Sequence, residues 1–500
     1  MPMSRLRLSL ASNAKQWFMR RAVAGAMVVG LADQLFFTDE GVGLSLAVFV
    51  GAVGTLAAVL NPVRASRRRA GVAVAIMAAG WVALIEDATF LSLVFGLGGL
   101  ALGATVLVSK DAAWSRCLRA ALATLFRGPS RLAQDVTRVR RAQERQRAPR
   151  RPLDWAGWIV PLCLSLVFIM LFSSANPLIE SLVGTISPRA IVERVPPWRV
   201  LFWAFVFSAA WSMLHLQALR TIAVQTPMPT ASEGDWRLLM NANAIRRSLV
   251  LFNLLFAAQT FMDLGYLWGG RALPTGMSYA AYAHRGAYPL LVSALLATVF
   301  VLLALRQQEA AETAPPPRAL LLVFVGQNIL LVLSSILRLD LYVAAYSLTY
   351  WRVAAFIWMG LVAFGLLTIL IRIQRDKPNS WLIGLNAAAL ALTLYACCFL
   401  NVADLVARYN LAHCREVAQT GPHLDRAYLR DLGPRAIPAI DAWRGRFEET
   451  ATDQLAIDHI RKGLVEKAAR RSGDWRNLTL ASWRLERYLA NKENSPAIQP

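Results

Sequence analysis

Apolar stretches alternate with short polar connectors along nearly the whole chain, and most of the stretches are long enough to cross a bilayer, which takes about 20 mainly apolar residues. The pattern predicts eleven spans, at 20–38, 42–61, 70–86, 89–108, 155–176, 198–219, 248–268, 286–305, 318–337, 352–371 and 381–404. The expected fold is therefore all-α: a polytopic transmembrane helical bundle with a small helical C-terminal extramembrane domain. Four segments are expected: a four-span segment (1–108), a basic amphipathic loop (109–153), a seven-span core (154–405) and a helical tail (406–500). The first apolar run passes through Asp33 and Gln34 without a small-residue cleavage site, so it reads as an uncleaved span rather than a signal peptide.

Charge then gives the spans a direction. Of the 53 Lys and Arg residues, 30 fall in the N-terminal segment and every second loop, 7 in the alternate loops and 16 in the tail. Basic residues concentrate on the cytoplasmic side of membrane proteins, so the N-terminus is expected in the cytoplasm and, with eleven spans, the tail outside. A multi-pass protein of a bacterial inner membrane is the implied location. The net charge of +22 is explained by this bias and by anionic lipid headgroups, and nucleic acid is not an expected partner. Composition agrees with the membrane reading: 56% hydrophobic, 17% charged, mean hydropathy +0.43.

Two connectors carry structure of their own. In 109–153, Trp114, Cys117, Leu118, Ala121, Leu122, Leu125 and Phe126 follow helical spacing, with Arg116, Arg119 and Arg127 on other faces. This is the pattern of a helix lying in the headgroup region beside anionic lipid. In the tail, Leu424, Tyr428, Leu429 and Leu432 form one helical stripe, Gly433-Pro434 stops it, and Ile437, Ile440 and Trp443 begin another. A single hairpin of this kind cannot bury its own face and needs neighbours.

The densest polar group runs from Ala258 to Leu290. Gln259, Asp263 and Tyr266 share a helix face, and the following loop adds Trp268, Tyr282, His284 and Arg285. Arg338, Asp340 and Arg352 in one segment, and Asp404 and Arg408 in another, are expected on the same outer face, with Asp404 and Arg408 at i, i+4 and Asp340 beside an arginine. Together they form a candidate outward-facing pocket, against the alternative that interfacial Tyr, Trp, His and Arg simply meet headgroups. Asp33 in the first span and Gln327 and Asn328 in the ninth either line a solute path or hydrogen-bond between helices.

Metal-ligand spacing, a disulfide framework, and nucleotide-binding, hydrolase and zinc-protease motifs are all missing. No cofactor and no metal are expected, and enzymatic activity is left open with the balance against it. The leading function is binding, sensing or moving a small or envelope-derived ligand. An envelope enzyme transferring a glycosyl or acyl group from a lipid-linked donor, and a signalling or assembly partner, are the alternatives.

The run Gln259–Leu290, with "RLDLYVAAYSLTYWR", "ARYNLAHC" and "LDRAYLRDLGPRAIPAID", resembles a bacterial membrane family known only as a domain of unknown function, family 4173, related to 4153. The likeness covers about Pro161 to Asp441. It implies a polytopic, inner-membrane protein and carries no catalytic residues with it.

Overall fold

The computed structural model describes residues 2–37, 41–110, 112–144, 196–216, 242–265, 318–446, 451–470 and 473–493, with five positions between 292 and 300. Among these residues every regular element is helical. Five helices are long and apolar enough to cross a membrane: α3 (Arg67–Glu86), α4 (Phe90–Val108), α9 (Arg318–Tyr346), α10 (Tyr350–Arg375) and α11 (Asn379–Cys397). Two shorter apolar helices, α2 (Leu44–Leu60) and the bulk of α7 (Pro197–Leu214), accompany them. The others are α1 (Pro2–Phe36), α5 (Trp114–Phe126), α6 (Gly128–Glu144), α8 (Ala242–Asp263), α12 (Val402–His413), α13 (Arg415–Ala418), α14 (Arg426–Asp431), α15 (Ile437–Trp443), α16 (Ala451–Ala469) and α17 (Leu480–Glu493). The predicted span 155–176 and nearly all of 286–305 lie outside the described residues. The chain forms two compact units: residues 1–225 with 474–479, and 226–473 with 480–500.

In the first unit, α3 and α4 are a glycine-packed pair. A Cβ at Gly80 would lie 2.4 Å from the Phe95 carbonyl oxygen, and one at Gly99 would lie 2.9 Å from that of Ile76. Helices in lipid gain nothing from excluding water between them, so close backbone approach and van der Waals contact are what hold such a pair together. The α1 and α7 helices run antiparallel. Near one end Arg199 clamps Asp33 through Nε at 2.8 Å and Nη2 at 2.6 Å, and at the other Arg21 donates to the Leu214 carbonyl at 3.0 Å. The Arg21 end is also the end where Arg64 and Arg67–Arg69 join α2 to α3.

The amphipathic helix predicted in the basic loop is α5, and it has three sides. Cys117, Ala120, Ala121 and Thr124 are buried in the protein. Trp114, Leu118, Leu122 and Phe126 are exposed, Phe126 at 81%. Arg116, Arg119 and Arg127 lie on the remaining side, at 100° per residue.

The short turn Trp475–Asn477 belongs to this unit too. The Leu44 N–H donates to the Leu478 carbonyl at 2.7 Å, and a Cβ on Gly43 would lie 2.4 Å from the Asn477 carbonyl. Only glycine lets the two backbones meet there. The contact is at the end of α2 away from Arg64 and Arg67–Arg69.

In the second unit, α9 and α10 form an antiparallel pair. At one end Arg318 reaches Asp376 at 2.5 Å, beside Arg372, Arg375 and Lys377. At the other, the turn Ser347–Thr349 is held by the tail: Asn410 accepts from the Leu348 N–H at 2.7 Å and donates to its carbonyl at 2.9 Å, while the Tyr428 hydroxyl accepts from the Tyr350 N–H at 2.9 Å. The tail therefore packs at the end opposite the basic cluster.

The apolar stretch 381–404 is not one helix: α11 ends at Cys397, and α12 starts at Val402 behind Asn401, whose side chain accepts from the Asp404 N–H at 3.2 Å. The predicted tail stripe finds its neighbours in this new helix and in α16. Leu429, Leu432, Ile437 and Ile440 pack in one core with Val406, Ala407, Leu411, Ile457, Ile460 and Leu464.

Ion pairs fasten the tail from outside. The Asp441 side chain, 1% exposed, takes Arg461 Nε at 2.5 Å, the Lys492 ammonium at 2.9 Å and the Tyr488 hydroxyl at 3.1 Å. Burial raises the Asp441 pKa, and the hydrogen bonds from Arg461 and Lys492 outweigh it, so the carboxyl sits below its ordinary value. Burial and the neighbouring Asp441 push Tyr488 up to about 12. A carboxyl whose pKa is lower folded than unfolded stabilises above the unfolded value, and that stability is lost as pH falls through the folded one. Acidifying the full-length protein below about pH 4 should therefore lower the protection of amides in α15, α16 and α17 against hydrogen exchange, relative to unstructured amides at the same pH. In Asp441→Asn the pH dependence should flatten, and an unchanged slope would remove Asp441 from this role.

Candidate functional site

The α8 and α9 helices bring together part of the predicted pocket. Asp263 and Arg338 are 1% and 3% exposed, and Arg338 Nη2 donates to Asp263 Oδ1. Gln259, one turn earlier on α8, donates to the same oxygen at 2.9 Å. Among the described residues Asp263 Oδ2 has no hydrogen-bond partner. An isolated charge in an apolar bundle is strongly unfavourable, and pairing it with a counter-charge and an amide makes it tolerable. Below the pair, Phe252, Phe256, Phe300 and Phe324 pack ring against ring, with Phe256 and Phe324 centroids 5.4 Å apart.

The other predicted residues form separate groups. Arg352 lies over the Tyr342 ring, 4.5 Å from its centroid, and donates to the Tyr346 and Ser347 carbonyls, capping the end of α9. Asp404 pairs with Arg408 at 2.6 Å along the tail helix α12. Asp340 is exposed, and burial, with Asp340 adding to it, raises the pKa of Tyr409. Gln327 and Asn328 lie on α9, Asn328 1% exposed with its amide nitrogen on the Phe324 carbonyl at 2.7 Å. Asp33 is clamped by Arg199 and also accepts from the Trp203 indole at 2.8 Å. Tyr266, Trp268, Tyr282, His284 and Arg285 lie outside the described residues. Among the described residues no three of His, Cys, Asp and Glu gather as metal ligands.

A second buried polar cluster, in the first unit, was not foreseen. Asp135 of α6, 2% exposed, accepts from Trp211 Nε1 at 3.1 Å, pairs with His215 Nδ1 at 2.6 Å and meets Arg138 at 3.2 Å. Burial raises its pKa, and the His215 and Trp211 hydrogen bonds carry it below the ordinary value. Around it, Arg21 donates to the Leu214 carbonyl, Asn61 to that of Met213 at 3.1 Å, and Arg131 to those of Ser212 at 3.5 Å and His215 at 3.4 Å. The terminal carbonyls of a helix have no partner within it and favour cations, so this cluster caps α7 and docks α6 on it. An acid set among arginines was its trace in the sequence.

These helices point to a membrane-embedded helical protein with ion pairs inside its apolar layers. The chain belongs to the family called domain of unknown function DUF4153, which it matches over residues 71–443. Of the two families named from the sequence, 4153 is the one this match shows, and it begins in α3, well before the motifs that first suggested it. No curated protein matches the chain, and no solved structure does.

Proposed function

We propose that this protein is an integral inner-membrane protein of eleven spans that binds or moves a small or envelope-derived ligand, with the α8–α9 site around Asp263, Arg338 and Gln259 as its working centre. The observation that carries the reading is a buried, ion-paired carboxylate with one oxygen unpartnered, near the end of α8. Ionisable groups at such depth usually face a partner or a solute path. The test is a thermal-shift screen of the purified protein against envelope precursors and small anions, with flux assays in proteoliposomes. Stabilisation by a ligand, lost in Gln259→Leu, is expected. Uniform silence beside a demonstrated covalent turnover would favour an envelope transferase.

In this reading the N-terminus is cytoplasmic and the tail extracytoplasmic. The tail's attachment in each unit at the end away from the basic cluster supports that topology. The exposed apolar side of α5, beside its arginines, is the proposed contact with anionic lipid of the inner leaflet. In intact cells, a membrane-impermeant maleimide should label Arg470→Cys in the tail and spare Ser130→Cys in α6, with native cysteines replaced. The reverse pattern would invert the topology.

A further inference from the structure

Buried hydrogen-bond acceptors are concentrated along the α8–α9 seam. Asn253 Oδ1, Thr260 Oγ1, Asp263 Oδ2, Gln327 Oε1 and Asn328 Oδ1 are all buried and, among the described residues, unpartnered. Two of the amides are locked in this sense. Asn253 Nδ2 donates to the Leu249 carbonyl at 2.8 Å and to that of Leu320 at 3.1 Å, and Asn328 Nδ2 is committed to Phe324. Their oxygens are left as acceptors. Asp263 Oδ1 is taken by Arg338 and Gln259, so Oδ2 remains.

These oxygens belong to one interface. At 100° per residue, Asn253, Thr260 and Asp263 fall on the side of α8 that carries Phe256. Gln327, Asn328 and Arg338 fall on the side of α9 that carries Phe324. The Phe256–Phe324, Asn253–Leu320 and Asp263–Arg338 contacts show those sides facing each other. A buried acceptor left without a donor loses its hydration with nothing in return, and hydrocarbon offers no donor at all. Several along one seam call for a donor-rich ligand, and water is the ligand that buried acceptors ordinarily recruit.

We propose that the α8–α9 seam holds a file of water molecules and that Asp263 exchanges protons with it through Oδ2. A hydronium in the file gives its proton to Oδ2 and becomes water; the neutral carboxyl returns the proton to the next water. Arg338, the charged group the structure pairs with Asp263, keeps Oδ1 throughout. The inference rests on the reading of this site as the working centre, and makes the proton its first ligand.

Infrared difference spectroscopy of the full chain in lipid tests it, comparing acid with neutral samples in H2O and D2O. A carboxylic-acid carbonyl band should appear on acidification, shift promptly in D2O, vanish in Asp263→Asn and move in Asp263→Glu. Asn328→Leu should slow the D2O shift by roughly tenfold with the helical amide bands unchanged. A titration with no band that depends on residue 263, a band insensitive to D2O, or unchanged exchange in both Asn328→Leu and Asn253→Leu would overturn the proposal. Ligand stabilisation measured on the same variants separates the two readings. Intact exchange without any ligand removes only the broader one, and intact ligand binding with a dry seam removes only this one.

Discussion

Asp263→Ala should destabilise the protein by about 3–5 kcal/mol, because it removes one partner of a buried ion pair. Arg338 is 3% exposed and sits twenty residues into a helix whose surroundings are apolar. Asp263→Leu combined with Arg338→Met should therefore recover most of the loss, and similar replacements of buried pairs have even been stabilising. Unfolding in mixed detergent–SDS micelles measures both. If the double variant is no more stable than Asp263→Ala, the pair is not the source of the cost.

Gly80→Val should have an effect of comparable size in the first unit. Its Cβ alone would lie 2.4 Å from the Phe95 carbonyl oxygen, an atom of the backbone that cannot swing aside. Overpacking a well-filled interface costs about 1–3 kcal/mol, and a clash with backbone belongs at the upper end of that range. Gly98→Ala is the control: nothing lies within 4 Å of a Cβ there, and alanine is the better helix former by about 1 kcal/mol. The same SDS titration should show Gly80→Val unfolding early and Gly98→Ala unchanged or later. Equal behaviour of the two would mean that α3 and α4 are not held by their close approach.

Periodicity and hydropathy made the helices legible where apolar runs had polar ends. The second stretch, read as 42–61, is α2 at Leu44–Leu60, and the fourth, read as 89–108, is α4 at Phe90–Val108. They failed where the run stayed apolar across a break. Cys397 to Leu400 reads as membrane, and the signal for the turn was Asn401, whose capping role depends on where the chain goes next: its side chain also donates to the Arg435 carbonyl at 3.1 Å.

Pairings within a helix were likewise visible, and distant ones were not. Gln259 with Asp263 and Asp404 with Arg408 follow from i, i+4 spacing. Arg338 was expected on the same face as Asp263, yet nothing in the spacing singles it out as the partner 75 residues away. Asp135 and His215 are 80 residues apart, in segments whose composition suggests a loose connector and an apolar span. Their meeting is decided by helix packing, which single-sequence patterns do not encode.

The pairing of Leu44 with Leu478 also bears on how the protein is made. Domains of a nascent chain usually fold in order, the N-terminal one first, as the ribosome delivers them. Here the first unit contains residues far apart in synthesis, and its second helix waits at its capped end for a segment translated more than four hundred residues later, by about 20 seconds or more at ordinary elongation rates. Until then Gly43 and Leu44 present open backbone. A message cut short before residue 474 therefore leaves the start of α2 without the backbone partner that closes it.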